Sequence, residues 1–126
     1  MKKNRISKNW INNQRRDIYV RQSKIEGYRS RAVYKLKEIN DKFKILRNGQ
    51  SIVDLGGAPG SWSQYLSSTL KNTKLLAIDL LEIQEIKNVK LMKGDFTDDI
   101  YKQKIKSFFN TKIDLVISDM AVNTTG

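Results

Sequence analysis

The stretch that most constrains the fold is V-D-L-G-G-A-P-G-S-W, residues 53–62. An apolar run ends at Asp54, and Gly56, Gly57 and Gly60 follow closely. Glycines directly after an apolar strand let a ligand approach the backbone, and this arrangement is typical of nucleotide and nucleoside sites. A structural turn with glycines at positive φ is the alternative interpretation. The stretch therefore predicts a strand, a ligand-binding loop and a helix in succession.

Strand and helix patterns alternate after this point. Residues 51–55 show no polar alternation before Asp54, as expected for a strand buried on both faces. Alternating strands and helices predict an α/β fold with a parallel sheet and right-handed crossovers. The predicted strands are residues 51–55, 74–80, 88–95 and 112–120, and the predicted helices between them are residues 61–70 and 98–109.

Two further helices are predicted before the sheet, over residues 9–26 and 31–43, with Ser30 as the N-cap of the second. Apolar residues recur at about helical spacing in the second of these helices, and the helix 98–109 is also predicted to bury apolar side chains. The residues expected to face the core are Val33, Leu36, Ile39 and Phe43 in the former, and Ile100, Ile105 and Phe108 or Phe109 in the latter.

Positive charge is concentrated in the first part of the chain. Residues 1–47 hold 15 Lys or Arg and 4 Asp or Glu, whereas residues 48–126 hold 9 of each. A basic segment on a neutral body is typical of proteins that bind a polyanion, because neutralised phosphates release counterions. A solvated basic tail is the alternative. We divide the chain into a basic helical arm, 1–47, that faces RNA and a cofactor-binding half-domain, 48–126.

Composition excludes several classes of chemistry. The chain has no cysteine and no histidine, so it has neither thiolate chemistry nor the commonest general base and metal ligand. No apolar run approaches the roughly 20 residues that span a membrane. The basic N-terminus lacks the apolar segment of a signal peptide. We expect a cytoplasmic protein with no metal site.

Four aspartates mark the ends of the four predicted strands: Asp54, Asp79, Asp95 and Asp119. The carboxyl ends of parallel strands meet at one edge of the sheet, where open α/β sheets bind ligands. A single acid at a strand end is common and carries little information. All four together, beside the glycine loop, predict a binding site.

The loop also indicates the kind of ligand. It does not match G-x-G-x-x-G or a Walker loop, and Pro59 lacks the backbone donor that a phosphate would need. The surrounding acids favour hydroxyls and positive charge. Asp79 ends the strand after Asp54, where an acid usually holds the ribose hydroxyls of a nucleoside cofactor. S-adenosylmethionine fits these requirements, and a nicotinamide cofactor is disfavoured.

Several segments occur together in a characteristic order: R-S-R-A-V-Y-K-L-K-E-I (29–39), D-L-G-G-A-P-G-S-W-S-Q-Y (54–65), A-I-D-L-L (77–81), G-D-F (94–96) and S-D-M-A-V-N-T-T-G (118–126). In this respect the chain resembles the FtsJ/RrmJ family of 23S ribosomal RNA uridine 2′-O-methyltransferases. The resemblance implies the N-terminal part of a Rossmann-like, S-adenosylmethionine-dependent methyltransferase sheet, with about four parallel strands preceded by basic helices. It also implies a monomer acting on 23S rRNA in the large ribosomal subunit.

The resemblance assigns site residues by motif. Asp95 and Phe96 would lie near the adenine, and Asp119 between cofactor and substrate. Of the family's catalytic set, Lys-Asp-Lys-Glu, Lys35 matches the first lysine and Asp119 the aspartate. A solvated Lys35 and a core Trp62 are the structural alternatives. The residues that would bind the cofactor are Gly60, Trp62, Asp79, Asp95 and Asp119.

The chain also departs from the family pattern. Ser61 replaces the second glycine of G-G-W, and Val122 replaces the proline of M-A-P-N. The second lysine and the glutamate belong to later strands in the family, so we expect a C-terminally truncated chain. The alternative function is therefore a catalytically incompetent fragment, or an RNA-binding protein that retains the cofactor-binding half.

Overall fold

The computed structural model describes the backbone of residues 2–120 and the side chains of residues 9–120. Within these residues four helices and four strands form an α/β fold, which confirms the predicted fold class. The elements are α1 Lys2–Glu26, α2 Val33–Phe43, β1 Ser51–Leu55, α3 Ser61–Thr69, β2 Lys74–Asp79, β3 Val89–Lys93, α4 Asp99–Phe109 and β4 Leu115–Ser118.

The four strands form one parallel sheet in the order β3-β2-β1-β4. Strand β1 lies inside the sheet, and Asp54 is in register with Ala77 of β2 and Ile117 of β4. Because all the strands run the same way, their carboxyl ends lie along one edge. The predicted parallel sheet is confirmed, and the loop after β1 occupies the middle of this edge.

Side chains on the two faces of the sheet form separate parts of the core. Ile52 of β1 packs with Leu36 of α2 and with Trp62 of α3 on one face. Its neighbour Val53 packs with Phe109 of α4 on the other. This alternation follows from the two-residue period of a strand. It places α2 and α3 on one side of β1 and α4 on the other.

Two of the predicted core residues are exposed. The prediction was wrong for Phe43, which is the last residue of α2 and is 63% exposed, because this helix meets the core only through its earlier turns. It was wrong for Ile100, which is also 63% exposed. Five residues separate Ile100 from the buried Ile105, a rotation of about 140° around an α-helix, so the two cannot share a face.

The prediction that Ser30 caps α2 was also wrong. Helix α2 begins at Val33, and its N-cap residue, Ala32, makes no side-chain cap. The Ser30 hydroxyl instead accepts a hydrogen bond from the Ala32 amide at 3.3 Å and pairs with the Ser61 hydroxyl at 2.9 Å. Ser30 thus joins the turn before α2 to the first residue of α3.

Helix α1 is longer than predicted, since it begins at Lys2 instead of residue 9. None of the helices within residues 2–120 has the length and apolar character needed to cross a membrane.

Candidate active site

The four strand-end aspartates lie along one edge of the sheet. Asp54 belongs to β1 and Asp79 is the last residue of β2, whereas Asp95 and Asp119 lie just beyond β3 and β4. The parallel strand order brings these four positions to the same end of the molecule. The edge predicted from the sequence is therefore present, and each acid there has a different environment.

The glycine loop is tied to the end of β2. The amides of Gly56 and Gly57 both donate to the carbonyl oxygen of Ile78, at 2.8 and 3.2 Å. The next amide, that of Ala58, donates to Oδ2 of Asp79 at 3.0 Å, and the Leu81 amide donates to Oδ1 of the same carboxylate at 2.9 Å. The Asp79 carboxylate therefore links the glycine loop to the turn that follows β2.

Close packing favours glycine at Gly57 and Gly60 of the loop. Gly60 precedes α3 with φ +119°, and a Cβ there would lie 2.8 Å from both Nη1 of Arg29 and Cδ1 of Ile86. A Cβ on Gly57 would lie 3.0 Å from Oδ2 of Asp54. A side chain at either position would require these neighbouring groups to shift. The space that remains in front of the loop is open to a ligand.

Arg29 holds the glycine loop through hydrogen bonds to backbone carbonyl oxygens. Its guanidinium donates to the backbone carbonyl oxygens of Pro59 at 2.9 Å, Gln84 at 2.8 Å and Glu85 at 2.7 Å. Arg29 belongs to the segment 1–47, which the sequence predicts to face RNA. Nothing in its spacing indicates these carbonyl partners, which lie 30 to 56 residues away. Arg29 therefore links the glycine loop to the connection between β2 and β3.

Asp54 is a buried carboxyl with one hydroxyl partner. It is 2% exposed, and the Ser63 hydroxyl donates to its Oδ2 at 2.8 Å. Burial raises the pKa of Asp54 to about 7, the hydrogen bond from Ser63 opposes this shift, and the nearby charges of Asp119 and Asp79 add to it. In the folded protein the pKa of Asp54 is therefore close to neutral pH.

Asp95 lies in a solvent-exposed turn. Its Oδ1 accepts hydrogen bonds from the Thr97 hydroxyl at 2.6 Å and from the Thr97 amide at 2.9 Å. These two bonds lower the pKa of Asp95, the hydroxyl bond having the larger effect. Asp95 is therefore an ionised carboxylate at neutral pH, with its other oxygen available to a ligand.

Lys35 and Asp119 meet across the site. The ammonium group of Lys35, on α2, lies 3.2 Å from Oδ1 of Asp119, which directly follows β4. The pair joins residues 84 positions apart in the sequence. The Lys35 side chain is 65% exposed and that of Asp119 is 30% exposed, so a substrate can reach both. The two predicted catalytic residues are thus in direct contact.

Three cavities lie along this edge and share lining residues. A 200 Å³ cavity between Asp79, Asp95 and Phe96 shares Gly56 with a smaller cavity of 80 Å³ over the glycine loop. That cavity shares Asp119 with a third, of 560 Å³, which Lys35 also lines. The cavities therefore form a sequence that leads from the predicted nucleoside-binding acids to the Lys35–Asp119 pair.

Trp62 contributes mainly to the core. Its ring packs with Leu36 and Ile52, and its indole N–H donates to the Ala32 carbonyl oxygen at 2.7 Å. The residue also lines the 80 Å³ cavity, so its predicted contact with a cofactor stays a prediction. Val122 and the rest of the predicted motif beyond Met120 lie outside the described residues.

No group of three or more acidic side chains able to hold a metal ion occurs in the part of the chain that the structure describes.

Comparison with known proteins gives a consistent result. The family described as FtsJ-like methyltransferase matches residues 28–126, which include every predicted site residue. Ribosomal RNA large subunit methyltransferase E of Pelagibacter ubique is 63% identical over 126 residues, an alignment that covers 100% of this chain and 62% of the relative. The protein of the same name from Rickettsia akari is 47% identical, with 95% of this chain and 56% of the relative covered.

A solved structure shares the fold. A crystal structure from Plasmodium falciparum, described as that of a ribosomal RNA methyltransferase, superposes with a TM-score of 0.68 at 35% sequence identity. The match covers 79% of this chain and 59% of that one. Against the curated relatives from Pelagibacter and Legionella, the present chain spans 62% of their length.

Proposed function

The chain belongs to the FtsJ-like methyltransferase family, and on this premise we propose that it transfers a methyl group from S-adenosylmethionine to the ribose 2′-hydroxyl of a uridine in 23S ribosomal RNA. The observation that carries the proposal is the 3.2 Å contact between Lys35 and Asp119 at the junction of the cavities. The names of the relatives support ribosomal RNA of the large subunit as the substrate.

The residues at the strand ends fit S-adenosylmethionine. The cavity of 200 Å³ has room for a planar base beside Phe96, and Asp79 and Asp95 offer carboxylate oxygens to ribose hydroxyls. Both oxygens of Asp79 already accept an amide, but a carboxylate has about four acceptor sites and can bind further donors. Bound S-adenosylmethionine would supply an activated methyl group without a metal ion.

Lys35 and Asp119 suit the acceptor side of the reaction. A ribose hydroxyl must be positioned, and must lose its proton as its oxygen gains the methyl group. The carboxylate of Asp119 can accept a hydrogen bond from that hydroxyl and then take its proton as the oxygen gains the methyl group. The Lys35 ammonium, held by the carboxylate, can donate to the same oxygen as negative charge develops on it. In this arrangement Lys35 acts as a donor.

A methyl-transfer assay tests the proposal. We would replace the matching segment of the Pelagibacter ubique relative with this chain and assay the chimera with labelled S-adenosylmethionine and undermethylated large subunits. The expected product is 2′-O-methyluridine, and Lys35→Met should lower its rate by about 100-fold or more. Lys42→Met, on the same helix, is the matched control. Product in which the label lies on a base would contradict the proposal.

The non-enzymatic alternative is favoured by the exposed, basic surface of α1. Calorimetric titration of the 126-residue chain with S-adenosylmethionine separates the two functions. The proposed enzyme takes up the cofactor and loses it on Asp79→Ala but not on Glu82→Ala, a nearby exposed acid. A protein that binds RNA without methylating it shows no uptake at all.

A further inference from the structure

We propose that the stacked rings of Tyr19 and Tyr34 form a platform for a base of the RNA, which places one nucleotide in the 560 Å³ cavity with its ribose toward Lys35 and Asp119. The inference rests on the proposed function, because it takes RNA as the substrate. It adds a binding element that brings α1 into the site. We call these two residues the tyrosine pair.

The tyrosine pair joins two helices at the wall of the cavity. Tyr19 comes from α1 and Tyr34 from α2, and their ring centroids lie 5.1 Å apart with an interplanar angle of 23°. Both residues line the cavity, and Tyr19 is 42% exposed. Proteins commonly hold single-stranded RNA by stacking its bases on exposed aromatic side chains. Tyr19 is therefore the ring that we expect the base to contact.

Tyr34 is held in place by its other neighbours. Its hydroxyl donates to Oε1 of Glu26 at 3.1 Å, and the Lys37 ammonium lies 5.3 Å from its ring centroid. Lys37 also binds Oε2 of Glu26 at 3.3 Å. Partial burial, followed by the hydrogen bond and charge of Glu26, raises the pKa of Tyr34 to about 12, so the phenol stays a neutral donor. Tyr34 is thus held in place before RNA arrives and offers its ring to Tyr19.

The remaining lining of the cavity suits a nucleotide. Arg31, an exposed residue, can pair with a backbone phosphate, whereas Glu38 adds one negative charge to the wall. The volume of 560 Å³ falls in the range that holds a small organic ligand. Asp119 lines both this cavity and the one over the glycine loop. A nucleotide stacked on Tyr19 would therefore extend toward the methyl donor.

Fluorescence with the 126-residue chain tests the platform without a methyl donor. The probe is a short single-stranded RNA with one 2-aminopurine, whose emission falls when it stacks on an aromatic ring. Tyr19→Leu should abolish the quenching and weaken binding at least about fivefold, whereas Tyr19→Phe should retain both. Trp10→Leu, at another exposed aromatic residue of α1, should leave both unchanged. Equal losses in the Tyr19→Leu and Trp10→Leu variants, or unchanged quenching in Tyr19→Leu, would overturn the proposal.

Photocrosslinking gives a second readout that needs no variant. RNA carrying one 4-thiouridine is irradiated with the wild-type chain, and the attached peptides are identified after trypsin digestion. We expect the label in residues 17–21 or 32–35, which contain the tyrosine pair. Labelling confined to other peptides would overturn the platform. Because neither experiment involves methyl transfer, either result can be obtained whether or not the proposed reaction is correct.

Discussion

At the scale of single residues, burial raises the pKa of Asp54. The ordinary pKa of this carboxyl is 3.8, and the folded protein raises it to about 7. The folded state therefore holds the proton more tightly than the unfolded state does between these two values. Protonated Asp54 thus favours the folded state, and this contribution to stability decreases as the pH rises from about 4 to about 7.

We predict that Asp54→Asn reduces the loss of stability between pH 5 and pH 8. Asparagine has nearly the same shape and stays uncharged, so the variant should exceed the wild type at pH 8 by on the order of a few kcal/mol. Thermal or urea unfolding across this pH range measures the difference. Asp99→Asn, at an exposed position, is the control and should follow the wild type. Parallel pH profiles for wild type and Asp54→Asn would contradict the raised pKa.

At the scale of elements, β1, the glycine loop and α3 form a unit whose geometry depends on residues from other parts of the chain. Gly60 is the N-cap residue of α3, and Arg29 and Ile86 occupy the space that a side chain there would need. Arg29 in turn binds carbonyl oxygens on both the loop and the β2–β3 connection. The geometry of the loop is therefore set jointly by three segments of the chain.

We predict that Gly60→Ala destabilises the protein more than Gly49→Ala does. Both glycines have positive φ, at +119° and +81°, so both substitutions carry backbone strain of about 1 kcal/mol or more. At Gly60 the new methyl group would also overlap Arg29 and Ile86, whereas nothing lies within 4 Å at Gly49. Urea unfolding gives the two free energies. Equal losses would show that the neighbours of Gly60 move aside freely.

At the scale of the whole molecule, the basic helix α1 lies beside the candidate active site. The 25-residue helix α1 carries basic residues along an exposed surface, and its residue Tyr19 reaches the cavity that Lys35 lines. Helix α4 lies on the opposite face of the sheet from α2 and α3. An RNA bound along α1 would therefore pass the candidate active site, whereas one on α4 would not.

We predict that replacing Arg15, Arg16 and Arg21 with Gln lowers the salt dependence of RNA binding. If all three contact phosphates, the slope of log affinity against log salt should fall by roughly 2 for a single-stranded RNA. Fluorescence anisotropy at several salt concentrations measures it. The matched control replaces Lys102, Lys104 and Lys106 of α4 with Gln, which removes the same charge from the other face. An equal fall in both variants would place the RNA elsewhere.

Much of the fold follows from the sequence because its signals are local. The apolar run 51–55 is such a local signal, and β1 has the predicted bounds. Asp98 is the N-cap residue of helix α4, and its Oδ1 accepts a hydrogen bond from the Ile100 amide at 3.1 Å. The predicted rim of aspartates follows from strand order and direction. Phe43 was misplaced because periodicity does not show where a helix leaves the core, and Ile100 because it does not lie on the face of α4 that carries the buried Ile105.

By itself, then, the sequence determined the order of elements, the glycine loop, the strand-end acids and the motifs that mark the family. Tertiary structure decided which of those groups touch. It brought Lys35 within 3.2 Å of Asp119, placed Arg29 behind the loop, and buried Asp54 deeply enough to raise its pKa. The physical reason is range: turns and periodicity act over a few residues, whereas ion pairing and desolvation depend on neighbours that only the folded chain brings together.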